Sequence, residues 1–79
     1  MPRTQLKLLR IKHGFSQKKM AVRLGYSRNQ YARVEAGEQE PTLKFLVALT
    51  IAFGMSLGEA REVTKRDKER QAQIDRETR

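Results

Sequence analysis

Apolar side chains recur along this chain at spacings of three and four, and glycine or polar residues interrupt them at short intervals. Leu6, Leu9 and Leu8 give the first apolar side, and Gly14 stops it, so a helix is predicted from about Thr4 to His13. A second helix starts at Ser16, whose hydroxyl can accept a first-turn backbone N–H. Phe15 stands just before that cap and Met20 inside the helix, placed to clasp each other as a hydrophobic staple. Met20, Ala21 and Leu24 then share a face, while Lys18, Lys19 and Arg23 point elsewhere. Gly25 ends this helix, because a residue after a helix often needs a positive φ. Ser27 and Gln30 form an S-x-x-Q capping box that starts a third helix, with Tyr26 and Tyr31 as its staple. Tyr31 and Val34 face inward; Arg28, Asn29, Gln30 and Arg33 face out; Gly37 closes the helix.

After a polar connection, Pro41 leads into Thr42, the N-cap of a fourth helix. Leu43, Leu46, Val47, Leu49 and Phe53 give it a wide apolar face, and Gly54 ends it. Ser56 to Glu59 forms another capping box and opens a fifth helix. No stretch alternates as a strand would, and nothing repeats. The expected fold is all-α, a compact bundle of five short helices.

Beyond Leu57 the pattern changes. Only Ala60, Val63, Ala72 and Ile74 are apolar, too few to bury a face. Helix formers dominate, and Glu62/Arg66, Lys65/Glu69 and Asp75/Arg79 are spaced i,i+4. The fifth helix is therefore expected to run on to about residue 70 and then fray. Residues 3–63 are read as one domain, and 64–79 as a charged tail, either a helical extension or disordered. A solvated tail and a docking or dimer arm are both compatible with this composition.

The run from Ser16 to Gly37 makes the most specific statement. Two capped helices joined by a tight turn at Gly25, the second tipped by polar and basic side chains, have the layout of a helix-turn-helix. In that layout the second helix enters the major groove of DNA. Ala21 is small enough to let the two helices pack closely across the turn.

Composition narrows the picture. The 79 residues suffice for one small domain, and a core of that size is marginal and often helped by oligomerisation. With no Cys, disulfides, thiolate metal sites and cysteine nucleophiles are excluded. No apolar run reaches about 18 residues and no signal-peptide pattern is present, so a cytoplasmic protein is expected. The net charge of +8 favours a polyanionic partner, nucleic acid before an anionic membrane surface. Residues 1–57 carry ten Lys/Arg against three acids, whereas residues 58–79 carry seven against six, so the attraction lies in the front part. The lone His13 has no plausible co-ligands, and no nucleophile–base constellation or glycine-rich phosphate loop exists. Neither catalysis nor a cofactor is expected.

The order of residues resembles the Cro/phage-repressor type of helix-turn-helix, also called the xenobiotic-response-element family. The matching positions are Leu9-Arg10, Phe15-Ser16-Gln17, Met20-Ala21, Leu24-Gly25, Ser27, Val34-Glu35 and Gly37. They continue with Pro41-Thr42-Leu43, Leu46 and Gly54-Met55-Ser56-Leu57. The match spans about two thirds of the chain and is specific as a set. The resemblance implies a lambda-repressor-like five-helix domain that binds double-stranded DNA sequence-specifically. It further implies a small transcriptional regulator, bacterial or phage-encoded and nucleoid-associated, repressing as a homodimer on a palindromic operator. It also implies a partly buried ion pair between Arg10 and Glu35. The chain departs from the family at Tyr31, usually aliphatic, at Ala36, usually more polar, and at Phe45 and Ile51, commonly polar. Exposed apolar groups at Phe45 and Ile51 would suggest a contact surface.

Arg pairs bidentately with guanine and Asn with adenine, so Arg28 and Asn29, at the start of the recognition helix, are the candidate base readers. Arg33 lies one turn on along the same outer side, and the resemblance points to all three positions. Gln17, at the first turn of the second helix, is the leading phosphate ligand, with Lys18, Gln30 and Lys44 as neighbours. The alternative reading is an antitoxin-type module of a toxin–antitoxin pair, which would also bind its own promoter. Its protein partner would dock through Phe45, Ile51 or the tail. Charge alone would give a third outcome, association with nucleic acid or membrane without sequence preference.

Overall fold

The computed structural model describes residues 1–77, side chains of residues 70, 73, 74 and 77 excepted. The helices are α1 (Thr4–Lys12), α2 (Gln17–Leu24), α3 (Arg28–Glu35), α4 (Leu43–Phe53), α5 (Leu57–Val63) and α6 (Asp67–Glu77). No strand occurs among the described residues, and the fold is all-α. α1 to α5 wrap one core, and α6 adds a helix in the charged segment.

Local chemistry starts and stops these helices. Ser16, Ser27, Thr42 and Ser56 each accept a backbone N–H from three residues on, and capping boxes close at Ser27/Gln30 and Ser56/Glu59. α2 ends on Gly25 at φ 79°, with the Tyr26 N–H reaching back to the Ala21 carbonyl at 2.8 Å. That paired termination needs a left-handed residue, which glycine adopts without steric cost.

The core joins Leu6 of α1, Met20, Ala21 and Leu24 of α2, and Tyr31 and Val34 of α3. Phe45, Leu46 and Leu49 of α4 and Ala60 of α5 complete it. Phe45 therefore corrects the expectation of an exposed contact residue: it is 1 % exposed, with ring centroids of Tyr26 at 5.4 Å and Tyr31 at 6.2 Å. The tyrosine rings create the pocket that the phenyl fills. The apolar face of α4 is rotated accordingly, so Leu43 and Val47, expected inside, are exposed, as are Ile51 and Leu8. Among the described residues no single helix is long and apolar enough to cross a membrane.

The fifth helix does not run on to residue 70. It stops at Thr64, whose hydroxyl turns back to the Ala60 carbonyl at 2.9 Å. α6 restarts at Asp67, and this junction is tied to the beginning of the chain. The Asp67 N–H donates to the Pro2 carbonyl at 2.9 Å, and its carboxylate accepts from the Thr4 N–H at 2.9 Å and from the Thr4 hydroxyl. Asp67 thus caps α1 from across the fold. Ion pairs in this segment include Lys65–Glu62 at 2.9 Å, Arg66–Glu69 at 2.7 Å and Arg66–Glu40 at 3.8 Å. The expected Asp75/Arg79 pair lies outside the described residues.

Candidate nucleic-acid interface

α2 and α3 pack against each other across the Gly25 turn, and Ala21, 1 % exposed, lies in their shared core. α3 then presents Arg28, Asn29 and Arg33 to solvent. Among the described residues none of these three side chains forms a hydrogen bond or ion pair within the chain. The Ser27/Gln30 box fixes the end of α3 that carries Arg28 and Asn29. Gln30 commits its side-chain oxygen to the Ser27 N–H at 2.9 Å, which leaves its amide NH2 facing outward as a donor.

The other cationic and polar candidates sit at helix starts. Gln17 is the first residue of α2 and Lys18 follows it, exposed. Gln17 is half-buried, and its amide donates to Glu35 Oε1 at 3.4 Å, a long bond that uses one of its two N–H groups. Lys44 lies in the first turn of α4, with Nζ 5.6 Å from the Tyr26 ring centroid. A cation over that ring is held there by the aromatic quadrupole. The Tyr26 hydroxyl in turn meets Thr42 Oγ1 at 3.3 Å, joining the helix-turn-helix to the cap of α4. Tyr26 thereby sets where Lys44 stands relative to α3.

Behind α3 lies a polar cluster. Arg10 Nε donates to Glu35 Oε2 at 2.9 Å and Nη2 to Oε1 at 3.1 Å, a bidentate pair with side chains 12 % and 7 % exposed. Arg10 Nη1 also donates to the Phe15 carbonyl at 2.8 Å, at the entry to α2. One guanidinium thus links α1, the start of the helix-turn-helix and α3. Burial pushes the Glu35 carboxyl up, but the hydrogen bonds from Arg10 and Gln17 and the Arg10 charge outweigh it and hold the group below its ordinary value. Tyr31 shares this environment: its ring is fully buried, and its phenol is pushed well up by burial and by Glu35. Its hydroxyl finds no partner at hydrogen-bond geometry among the described residues.

The depressed carboxyl makes stability depend on pH. The unfolded chain takes up the Glu35 proton first as pH falls, so this stabilisation is complete above the ordinary value of 4.5 and is lost as pH drops through the lower folded value. Urea unfolding is expected to show a flat midpoint from neutral pH down to about 5 and a decline below it. Glu35→Gln should lose part of that acid slope; an unchanged slope would place its source elsewhere.

Sequence reasoning did not find Arg3. It precedes α1, counts as one more base in a basic segment, and is 1 % exposed. No local pattern marks it, because its partners are 31 to 61 residues away. The described residues contain no group of three or more His, Cys, Asp or Glu arranged to hold a metal, and His13 lies with its ring 4.8 Å from that of Phe53.

Comparison with known proteins agrees with this geometry. The family model described as helix-turn-helix matches residues 6–59, from α1 into α5. A curated relative from Bacillus subtilis (strain 168), the SPbeta prophage-derived uncharacterized HTH-type transcriptional regulator YonR, is 42 % identical over 52 residues. That alignment covers 66 % of this chain and 48 % of YonR, so the chain spans about half the length of the curated relative it matches. No solved structure matches at a significant level. The architecture is lambda-repressor-like, and the chain belongs to the Cro/C1-type helix-turn-helix family.

Proposed function

We propose that the chain is a small, non-enzymatic transcriptional regulator that binds double-stranded DNA sequence-specifically, with α3 in the major groove. One observation carries this reading: a helix capped at its start and braced from behind by Arg10–Glu35 holds Arg28, Asn29 and Arg33 outward without partners among the described residues. Unpaired guanidinium and amide groups on a rigid helix suit hydrogen bonding to base edges. Arg28 and Asn29 read bases from the start of α3, and Arg33 reads one turn further along. Gln17, Lys18, Gln30 and Lys44 hold phosphates on either side. The free N–H groups at the starts of α2 and α4 add to that hold.

A single α3 spans few base pairs, so the active species is a homodimer on a palindromic operator, with recognition helices about 34 Å apart. Repression is the proposed outcome, since occupancy of a promoter needs no further contact. The protein acts in the cytoplasm, where bacterial or phage DNA is accessible. The YonR name supports regulation as the role. The antitoxin reading gains nothing from Phe45, which lies in the core.

Selection of duplexes from a random pool tests this directly. A two-fold symmetric consensus is expected. Arg28→Ala should then lose about 1–3 kcal/mol of affinity for that consensus and relax preference at one position in each half-site. Equal binding of the consensus by Arg28→Ala and the parent would remove Arg28 from base reading. No enriched sequence at all would defeat the proposal.

A further inference from the structure

The DNA-facing geometry assigns no role to Arg3, yet its guanidinium joins the far end of the recognition helix to the opposite side of the fold. Nε donates to the Thr64 carbonyl at 2.7 Å, and Nη1 to the carbonyls of Val34 and, at 3.1 Å, Gln39. Nη2 meets Glu40 Oε2 at 3.2 Å, and the Arg3 N–H donates to the Glu35 carbonyl at 2.9 Å. Val34 lies in the last turn of α3 and Thr64 is the C-cap of α5. The buried charge therefore sits between two helix C-termini, whose terminal carbonyls and dipoles both favour a cation.

Both neighbours of Arg3 are fixed to the α5–α6 junction, Pro2 by the Asp67 N–H and Thr4 by the Asp67 carboxylate. The guanidinium is thus anchored from outside α3. The Met1 carbonyl lies so close to Gly37 that a Cβ built there would stand 1.7 Å from its oxygen, so the backbone of the chain start also seals the end of α3. Arg33 precedes Val34, the residue whose carbonyl Arg3 holds.

We propose that Arg3 is a positioning residue for DNA recognition: its fork sets the C-terminal half of α3, and with it the reach of Arg33, by tying that half to the α5–α6 junction. The proposal rests on the reading of α3 as the base-reading helix. A planar fork with five donors can serve two helix ends and a loop carbonyl together, which one ammonium cannot do. Arg3 is itself buried, so it contributes positioning without touching phosphate.

The full-length chain with Arg3→Ala or Arg3→Lys tests this with two readouts. Without DNA, amide exchange of residues 37–39 in Arg3→Ala is expected to rise about tenfold, while that of residues 20–24 in α2 stays as in the parent. An equal rise everywhere, or none, overturns the clamp. With DNA, the ratio of affinities for the selected duplex and a scrambled one is expected to fall about tenfold, the scale of one misplaced base contact. The slope of log K against log salt should not change, because no phosphate contact is lost. An unchanged ratio, or a slope lower by about one, overturns the positioning role. If Arg3→Ala does not fold, Arg3→Lys decides: the same pattern at about threefold supports the fork, and parental values overturn it. A parent protein that shows no preference between the duplexes defeats the base-reading proposal, and the exchange measurement still decides the clamp.

Discussion

Replacing Arg10 with alanine is expected to cost about 3–5 kcal/mol of folding stability, enough to leave much of a small domain unfolded at physiological temperature. Glu35 would keep its burial and lose both charge-assisted bonds, with only the long Gln17 contact remaining. The Phe15 carbonyl would lose its donor as well, at the entry to α2. Most of the effect is the penalty of a stranded charge, since buried ion pairs add little over apolar replacements. Arg10→Met combined with Glu35→Leu should therefore be far less damaging than Arg10→Ala alone. Thermal unfolding of the parent, Arg10→Met, Glu35→Leu and the double variant measures the coupling, with Arg10→Ala alongside. A loss below about 1 kcal/mol in Arg10→Ala would mean that the pair behaves as an exposed one.

A comparable loss, about 3–5 kcal/mol, is expected for Phe45→Ala. The phenyl ring fills the space between Tyr26 and Tyr31, and its removal leaves a cavity beside a tyrosine whose hydroxyl already has no hydrogen-bond partner among the described residues. Tyr26 also carries the link to Thr42 and the ring under Lys44, so the damage should reach the α4 side of the proposed interface. Ile51→Ala is the matched control. That side chain is 80 % exposed, and its truncation should stay within about 0.5 kcal/mol of the parent. Similar urea midpoints for the two variants would mean that Phe45 is not the core residue its burial indicates.

The same two positions show where the sequence was legible. Both apolar residues stand on a helix that is apolar nearly all round, and periodicity cannot choose an inner face when most faces qualify. The choice is made by rings on other elements, which no local pattern reveals. By contrast, the starts of α2 to α5 and the turn at Gly25 could be read directly, because a cap or a positive φ depends on residues only three or four apart. The break between α5 and α6 was not legible for the opposite reason. Its causes are Pro2, Arg3 and Thr4, more than 60 residues away in sequence. The outward stripe of α3 was legible from amphipathic spacing, whereas the long bond from Gln17 to Glu35 was not.

Two of the glycines share nearly the same backbone angle and differ in what surrounds them. Gly25, at φ 79°, has open space where a side chain would go, while Gly37, at φ 84°, has the Met1 carbonyl there. Asparagine tolerates the left-handed region, so a lineage drifting under mutation can exchange Gly25 for it at modest cost. Position 37 offers no such neutral path: any side chain there must first displace the Met1 carbonyl, so a change at 37 is tolerated only together with a shift of the backbone that precedes α1.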